Sequence, residues 1–289
     1  MPRRSRTIAR PLWLGLVLLA AGLLTGCVNL QAVSAYTASA GAVVADTRPA
    51  ARWQQSEPHL LSLQLPGDQS DVCTLGRSGR QPQAEFDAAF KEIAAVHALL
   101  GAYFQALGAL AGNQVPMPTA ALAGSLSAVK SAGVPVSPAD EAALKSLATL
   151  LDRALDAYRQ REVWRLVVQT HDDVDRSLAL LERLAAIYTD EVQGEQAQAR
   201  LYWRCQLSPN GEVVDKYWGR RELKRVMDGY DADRAALATY ARALARVRRD
   251  HADLRYKLAL DGDALKLALD ELQATRKELD AARSALARL

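Results

Sequence analysis

Apolar residues recur every seven positions along the C-terminal third of the chain. Leu223, Tyr230, Leu237, Leu244, His251, Leu258, Leu265, Leu272, Leu279 and Leu286 form one seam. Val226, Asp233, Tyr240, Val247, Leu254, Asp261, Ala268, Thr275, Ala282 and Leu289 form a second. Ten consecutive heptads predict a coiled-coil-like helix over about 219–289. Straight, it would reach on the order of 100 Å. Gly262, inside Asp261-Gly262-Asp263, is the expected bend or break. Alanines on the second seam favour close antiparallel packing inside one molecule over a parallel zipper between molecules.

The same reading extends upstream. Ser137 can cap a helix, Pro138 suits its first turn, and Asp140 and Glu141 suit its positive end. Neither proline nor glycine then occurs before Gly194, which predicts a second long helix over about 138–200. Its buried stripe is Val167, His171, Val174, Leu178, Leu181, Ala185, Tyr188 and Val192. A third amphipathic helix is expected over 83–112, with Phe86, Phe90, Ile93, His97, Leu100, Phe104, Leu107 and Ala111 facing inward. Gly101 and Gly108 on it imply a close neighbour. Residues 113–136 place prolines around a short Ala/Leu/Ser helix.

Nearer the N-terminus, an alanine-rich helix is expected from Leu30 to about Thr47, interrupted at Pro49. Residues 57–82 are rich in proline and glycine and read as a loop, with a short strand at Leu60–Leu65. Between the two longest helices, Tyr202-Trp203 and Tyr217-Trp218 flank Asn210-Gly211 almost symmetrically. That pattern predicts a β-hairpin, or a tight helix–helix corner, near residues 201–218, with the aromatic pairs brought together. The fold class is therefore all-α: an elongated bundle of long antiparallel, coiled-coil-like helices over 83–289.

Charge sharpens the picture at the N-terminus. Arg3, Arg4, Arg6 and Arg10 precede an apolar run from Leu12 to Leu24, and no acid occurs before Asp46. Such a run is too short for a comfortable transmembrane helix and has the order of a secretory signal. It ends in Leu24-Thr25-Gly26-Cys27, which resembles the lipobox of bacterial lipoproteins. The resemblance implies cleavage of residues 1–26, a diacylglycerol on the Cys27 thiol and an acylated Cys27 amine. Residue two of the mature chain would be Val28 rather than an aspartate, which in that class implies the outer membrane. Residues 27–82 would then be the lipidated N-terminus, the small-residue helix and the loop. The whole chain carries a formal charge of +3. Removing the four arginines leaves 32 bases against 33 acids, an almost neutral body.

Apart from Cys27, only Cys73 and Cys205 remain, a plausible disulfide pair in an oxidising envelope. Reflecting the chain about Asn210-Gly211 brings His171 opposite His251 on facing seams, and His97 also occupies a seam. These three are candidates for a metal site or for a polar layer that fixes register. The sequence contains no Gly-x-Ser-x-Gly elbow, no phosphate-binding Gly-x-x-x-x-Gly-Lys loop and no dinucleotide-binding glycine fingerprint. Enzyme activity and a cofactor are not expected. Basic residues are interleaved with acids, so nucleic acid is not an expected partner. Tyr202, Trp203, Tyr217 and Trp218 are the candidate contact surface. The functional expectation is a lipid-anchored, periplasm-facing interaction or scaffolding protein with an envelope protein partner. The alternatives are a metal- or small-ligand-binding lipoprotein using the histidines, and an accessory subunit of an envelope export assembly.

Overall fold

The computed structural model describes residues 31–64, 83–112, 160–207, 216–258, 260 and 262–289, together with positions 142 and 146. Every regular element among them is helical, so the all-α bundle is as expected. The helices are α1 (31–44), α2 (Arg48–Gln54), α3 (Ser56–Ser62), α4 (Gln83–Ala111), α5 (Gln160–Gln206), α6 (Lys216–Lys257) and α7 (Gly262–Leu286).

Val33, Tyr36, Ala40, Val43 and Val44 recur at helical spacing along α1 and are fully buried. After the turn at 45–47, Asp46 Oδ1 accepts from the Arg48 backbone N–H at 3.1 Å. Pro49 then occupies the first turn of α2, where an amide hydrogen is not needed. The strand expected at Leu60–Leu65 is corrected: residues through Ser62 are helical, and Leu60 is buried on α3. Pro58 lies in the first turn of that helix, where it preorganises the backbone rather than breaking it.

Helix α4 packs against α5 and α2. The expected stripe is half-buried at Phe86 and Phe90 and buried from Ile93 to Ala111, but Val96, Leu99, Tyr103 and Leu110 are buried as well. By length and composition it could cross a membrane; here its apolar surface packs mostly inside the bundle. The close neighbour implied by its glycines is α1. A Cβ on Gly101 would lie 2.7 Å from the Ala45 Cβ, and one on Gly108 would lie 2.7 Å from Thr37 Oγ1. Ser34 Oγ uses that proximity to donate to the Gly108 carbonyl at 3.0 Å.

Helix α5 passes through Gly194 without a break, because that glycine lies on an open face. Residue numbers on α5 rise as those on α6 fall. Arg248 pairs with Asp175, and Gln196 Nε2 donates to Asp231 at 2.8 Å. The heptad helix does not run straight. It ends at Lys257, and α7 folds back so that Arg246 donates to Thr275 Oγ1 at 2.7 and 3.0 Å. Glycine and flanking aspartates are weak helix formers, and reversal there lets both halves of each seam enter one core. Leu237, Leu244, Val247, Leu254, Leu272, Leu279 and Leu286 are all buried.

Candidate functional site

Polar side chains enter the core at three levels along α6. The first contains two of the expected histidines. His171 from α5 and His251 from α6 stack with ring centroids 6.0 Å apart and planes inclined by 11°. Tyr103 Oη from α4 lies 2.7 Å from His251 Nε2 and 3.0 Å from Thr170 Oγ1. The Thr170 hydroxyl donates to the Leu166 carbonyl at 2.8 Å, so its one hydrogen is committed. All three contacts are satisfied together when His251 Nε2–H donates to Tyr103, Tyr103 to Thr170, and Thr170 to Leu166. Burial, reinforced by neighbouring His171, pushes the His251 pKa down to about 3, so the imidazole is neutral. Beside the pair, Arg248 grips Asp175 through both carboxylate oxygens at 2.6 and 2.8 Å, and holds that carboxyl below its ordinary range.

His97 does not join them. Its Nδ1 lies 2.5 Å from the Val44 carbonyl and must donate, since a carbonyl only accepts. Its ring stacks on Tyr240 at 6.4 Å, and burial lowers its pKa to about 4. Nε2 of His97 and the hydroxyls of Tyr188 and Tyr240 are buried without a protein partner. Among the described residues, no group of three or more His, Cys, Asp or Glu side chains is arranged to hold a metal ion.

The third level was not anticipated. Arg52 from α2 reaches between the long helices, donating to both Glu195 oxygens at 3.2 and 2.8 Å and to Asp233 Oδ2 at 2.7 Å. Glu195 is fully buried and Arg52 nearly so. Burial opposes the Arg52 charge, but the two carboxylates more than offset it and raise its pKa. The Tyr230 ring lies 5.9 Å from the guanidinium, and His59 from α3 meets the same ring edge-on at 5.5 Å. A signal existed: Asp233 is a heptad-seam residue, and Glu195 falls where the α5 stripe continues beyond Tyr188 and Val192, followed by buried Ala199 and Tyr202.

At the bundle end where α5 stops and α6 starts, the structure brings the aromatic residues together through Trp203 and Trp218, 6.4 Å apart. Tyr202 and Trp203 are buried, whereas Tyr217 is 81% and Trp218 52% exposed. Among the described residues of 201–218, no strand occurs: residues 201–206 and 216–218 are helical. Residues 208–215, with Asn210-Gly211, lie outside the described residues. Cys205 is half-buried against the core here. Cys27 and Cys73 lie outside the described residues.

The fold and these sites define an all-α bundle with a zoned polar interior and one aromatic end. Comparison of the chain with protein-family models, curated proteins and solved structures finds no match.

Proposed function

We propose that this protein is a lipid-anchored interaction module of the bacterial envelope, tethered through Cys27 to the outer membrane and facing the periplasm. The observation that carries this reading is the aromatic corner. Tyr217 and Trp218 stay largely exposed above a floor of buried Tyr202 and Trp203, and such aromatic surface is favoured at binding hot spots. The pairing of Cys205 with Cys73 would hold this corner rigid, lowering the entropy lost on binding. Helices α5 and α6 act as an antiparallel, coiled-coil-like arm that carries the corner, and the histidine, arginine and carboxylate levels fix its register. His171 stacks on His251 at one level and His97 bonds to the Val44 carbonyl at another, so the three rings do not converge, which supports register over ligand capture. No catalytic role is assigned to any residue, and the expected partner is a protein.

The test places a photo-crosslinking amino acid at Tyr217 or at exposed Asp228 in the anchored full chain within intact envelopes. A discrete adduct from position 217, absent from position 228 and diminished by Trp218→Ala, is the expected result. Identical adducts from both positions would remove the corner from the reading.

A further inference from the structure

The opposite end of the bundle carries a second set of exposed apolar side chains, and its position relative to the chain's N-terminus gives it a partner. Trp164 (46% exposed) and Val168 lie near the start of α5, Tyr256 (62%) near the end of α6, Leu260 in the turn, and Leu267 (65%) near the start of α7. The stack of His171 on His251 sets the level of α5 against α6. Seven residues before His171, Trp164 is level with about residue 258 of α6. The Lys257–Glu271 pair, 3.0 Å apart, places Leu267 at the same end. Five apolar residues from three helices and the turn between α6 and α7 thus lie at one end of the molecule, as an apolar girdle.

The N-terminal start of α1 is also there. Tyr36 Oη donates to the Val247 carbonyl, and Ser34 meets Gly108 near the C-terminal end of α4. Further along, Val44 meets His97 and Arg52 meets Asp233, so α1 and α2 ascend away from the girdle. Residue 31 therefore sits about level with residue 252 of α6. Leu260 lies roughly 12 Å beyond that level at the helical rise. The four residues from Cys27 to residue 31 can span at most ~14 Å. An acyl chain on Cys27 would bring a bilayer to the level of the girdle.

We infer that this end is a membrane-seating surface, with Trp164, Tyr256, Leu260 and Leu267 immersed in the interfacial layer of the lipid that anchors Cys27. Tryptophan and tyrosine favour that layer because their rings are apolar with one polar edge. Arg165 is exposed next to Trp164, and the Arg255 guanidinium lies 4.6 Å from the Tyr256 ring, so cationic groups accompany both aromatics. Cations at that depth attract anionic headgroups. The lipid chains supply attachment, and the girdle supplies orientation: the long axis stands away from the bilayer and the Tyr217–Trp218 corner is held at the far end. This inference rests on the lipid-anchor reading.

The experiment uses the mature, acylated full chain in vesicles of phosphatidylethanolamine and phosphatidylglycerol with bromine on the acyl chains. Bromine quenches only tryptophan at the bilayer. The expected result is partial quenching that disappears in Trp164→Phe, persists in Trp218→Phe, and falls at least twofold in the surface variant Tyr256→Glu/Leu267→Glu. Flotation with the vesicles is recorded in parallel. Protein that floats but shows no Trp164-dependent quenching overturns the seating surface and leaves the anchor intact; coverage of the girdle by the chain between α4 and α5 would give that result. Quenching that follows Trp218 overturns it by reversing the orientation. Protein that carries no acyl mass and does not float refutes the anchor, and the seating surface with it.

Discussion

His97 and His251 are imidazoles held neutral inside the core, and that has a direct consequence for acid stability. Their pKa values fall from an ordinary 6.5 to about 4 and about 3, chiefly because burial penalises the charged form. Below pH 6.5 the unfolded chain binds protons that the folded chain refuses, so stability is complete above that pH and declines as pH falls toward the folded values. Each histidine contributes a slope approaching ~1.4 kcal/mol per pH unit in that window. Urea midpoints between pH 7 and pH 5 should fall accordingly, and His97→Phe/His251→Phe should flatten the slope even while lowering stability at pH 7. An unchanged slope would mean that neither ring is buried neutral. At the neighbouring charged level, Arg52→Met leaves Glu195 buried without its cation, an expected loss of about 3–5 kcal/mol. Adding Glu195→Leu should restore part of that loss, because the orphaned charge is removed with its partner. Strict additivity in denaturant melts would argue against a coupled pair.

At the scale of the elements, helix contact is set by the absence of side chains as much as by their presence. Gly108→Ala forces a methyl against Thr37 Oγ1 and should destabilise by about 1–3 kcal/mol. Gly194→Ala meets nothing within 4 Å and should stabilise by up to ~1 kcal/mol. Opposite signs in thermal melts are the check; equal effects would contradict the close approach of α1 to α4. That approach was legible in the sequence from Gly101 and Gly108, as was the burial of most of the described positions on both heptad seams, because seven-residue spacing marks one face whether the helix is straight or folded. Asp261-Gly262-Asp263 marked where the chain reverses. The pairing of His171 with His251 followed from reflecting the chain about Asn210-Gly211, since residue numbers on α5 rise as those on α6 fall. Other features were hidden for physical reasons. Pro58 reads as a breaker unless the helix start is known, so the sequence alone presents α3 as loop and strand. Arg52 and Glu195 look like surface charges, because sequence spacing cannot reveal that a short helix 143 residues away supplies the counter-charge. The turn dipeptide allows a hairpin or a tight helix–helix corner; Asn210-Gly211 lies outside the described residues, and helix runs through Tyr202 and Trp203 and is present again from Lys216.

On the proposed reading the whole molecule has a direction: the lipid tether would sit with the exposed apolar set at one end, three polar levels run through the middle, and the aromatic corner lies at the other. Cys27→Ser should abolish the mass of the acyl chains and release the protein from the membrane fraction or leave it unprocessed; unchanged fractionation and mass would contradict the tether. The corner's height above the bilayer tests the direction itself. From His251 to Trp218, α6 rises by roughly 50 Å. The decisive measurement is energy transfer from a fluorescent amino acid at position 217 to acceptors at the surface of vesicles holding the acylated protein. The account predicts a separation on the order of 50 Å, consistent with a molecule standing on its girdle. Transfer efficient enough to place residue 217 within about a helix diameter of the lipid, on the order of 10 Å, would mean that the bundle lies flat and would contradict it.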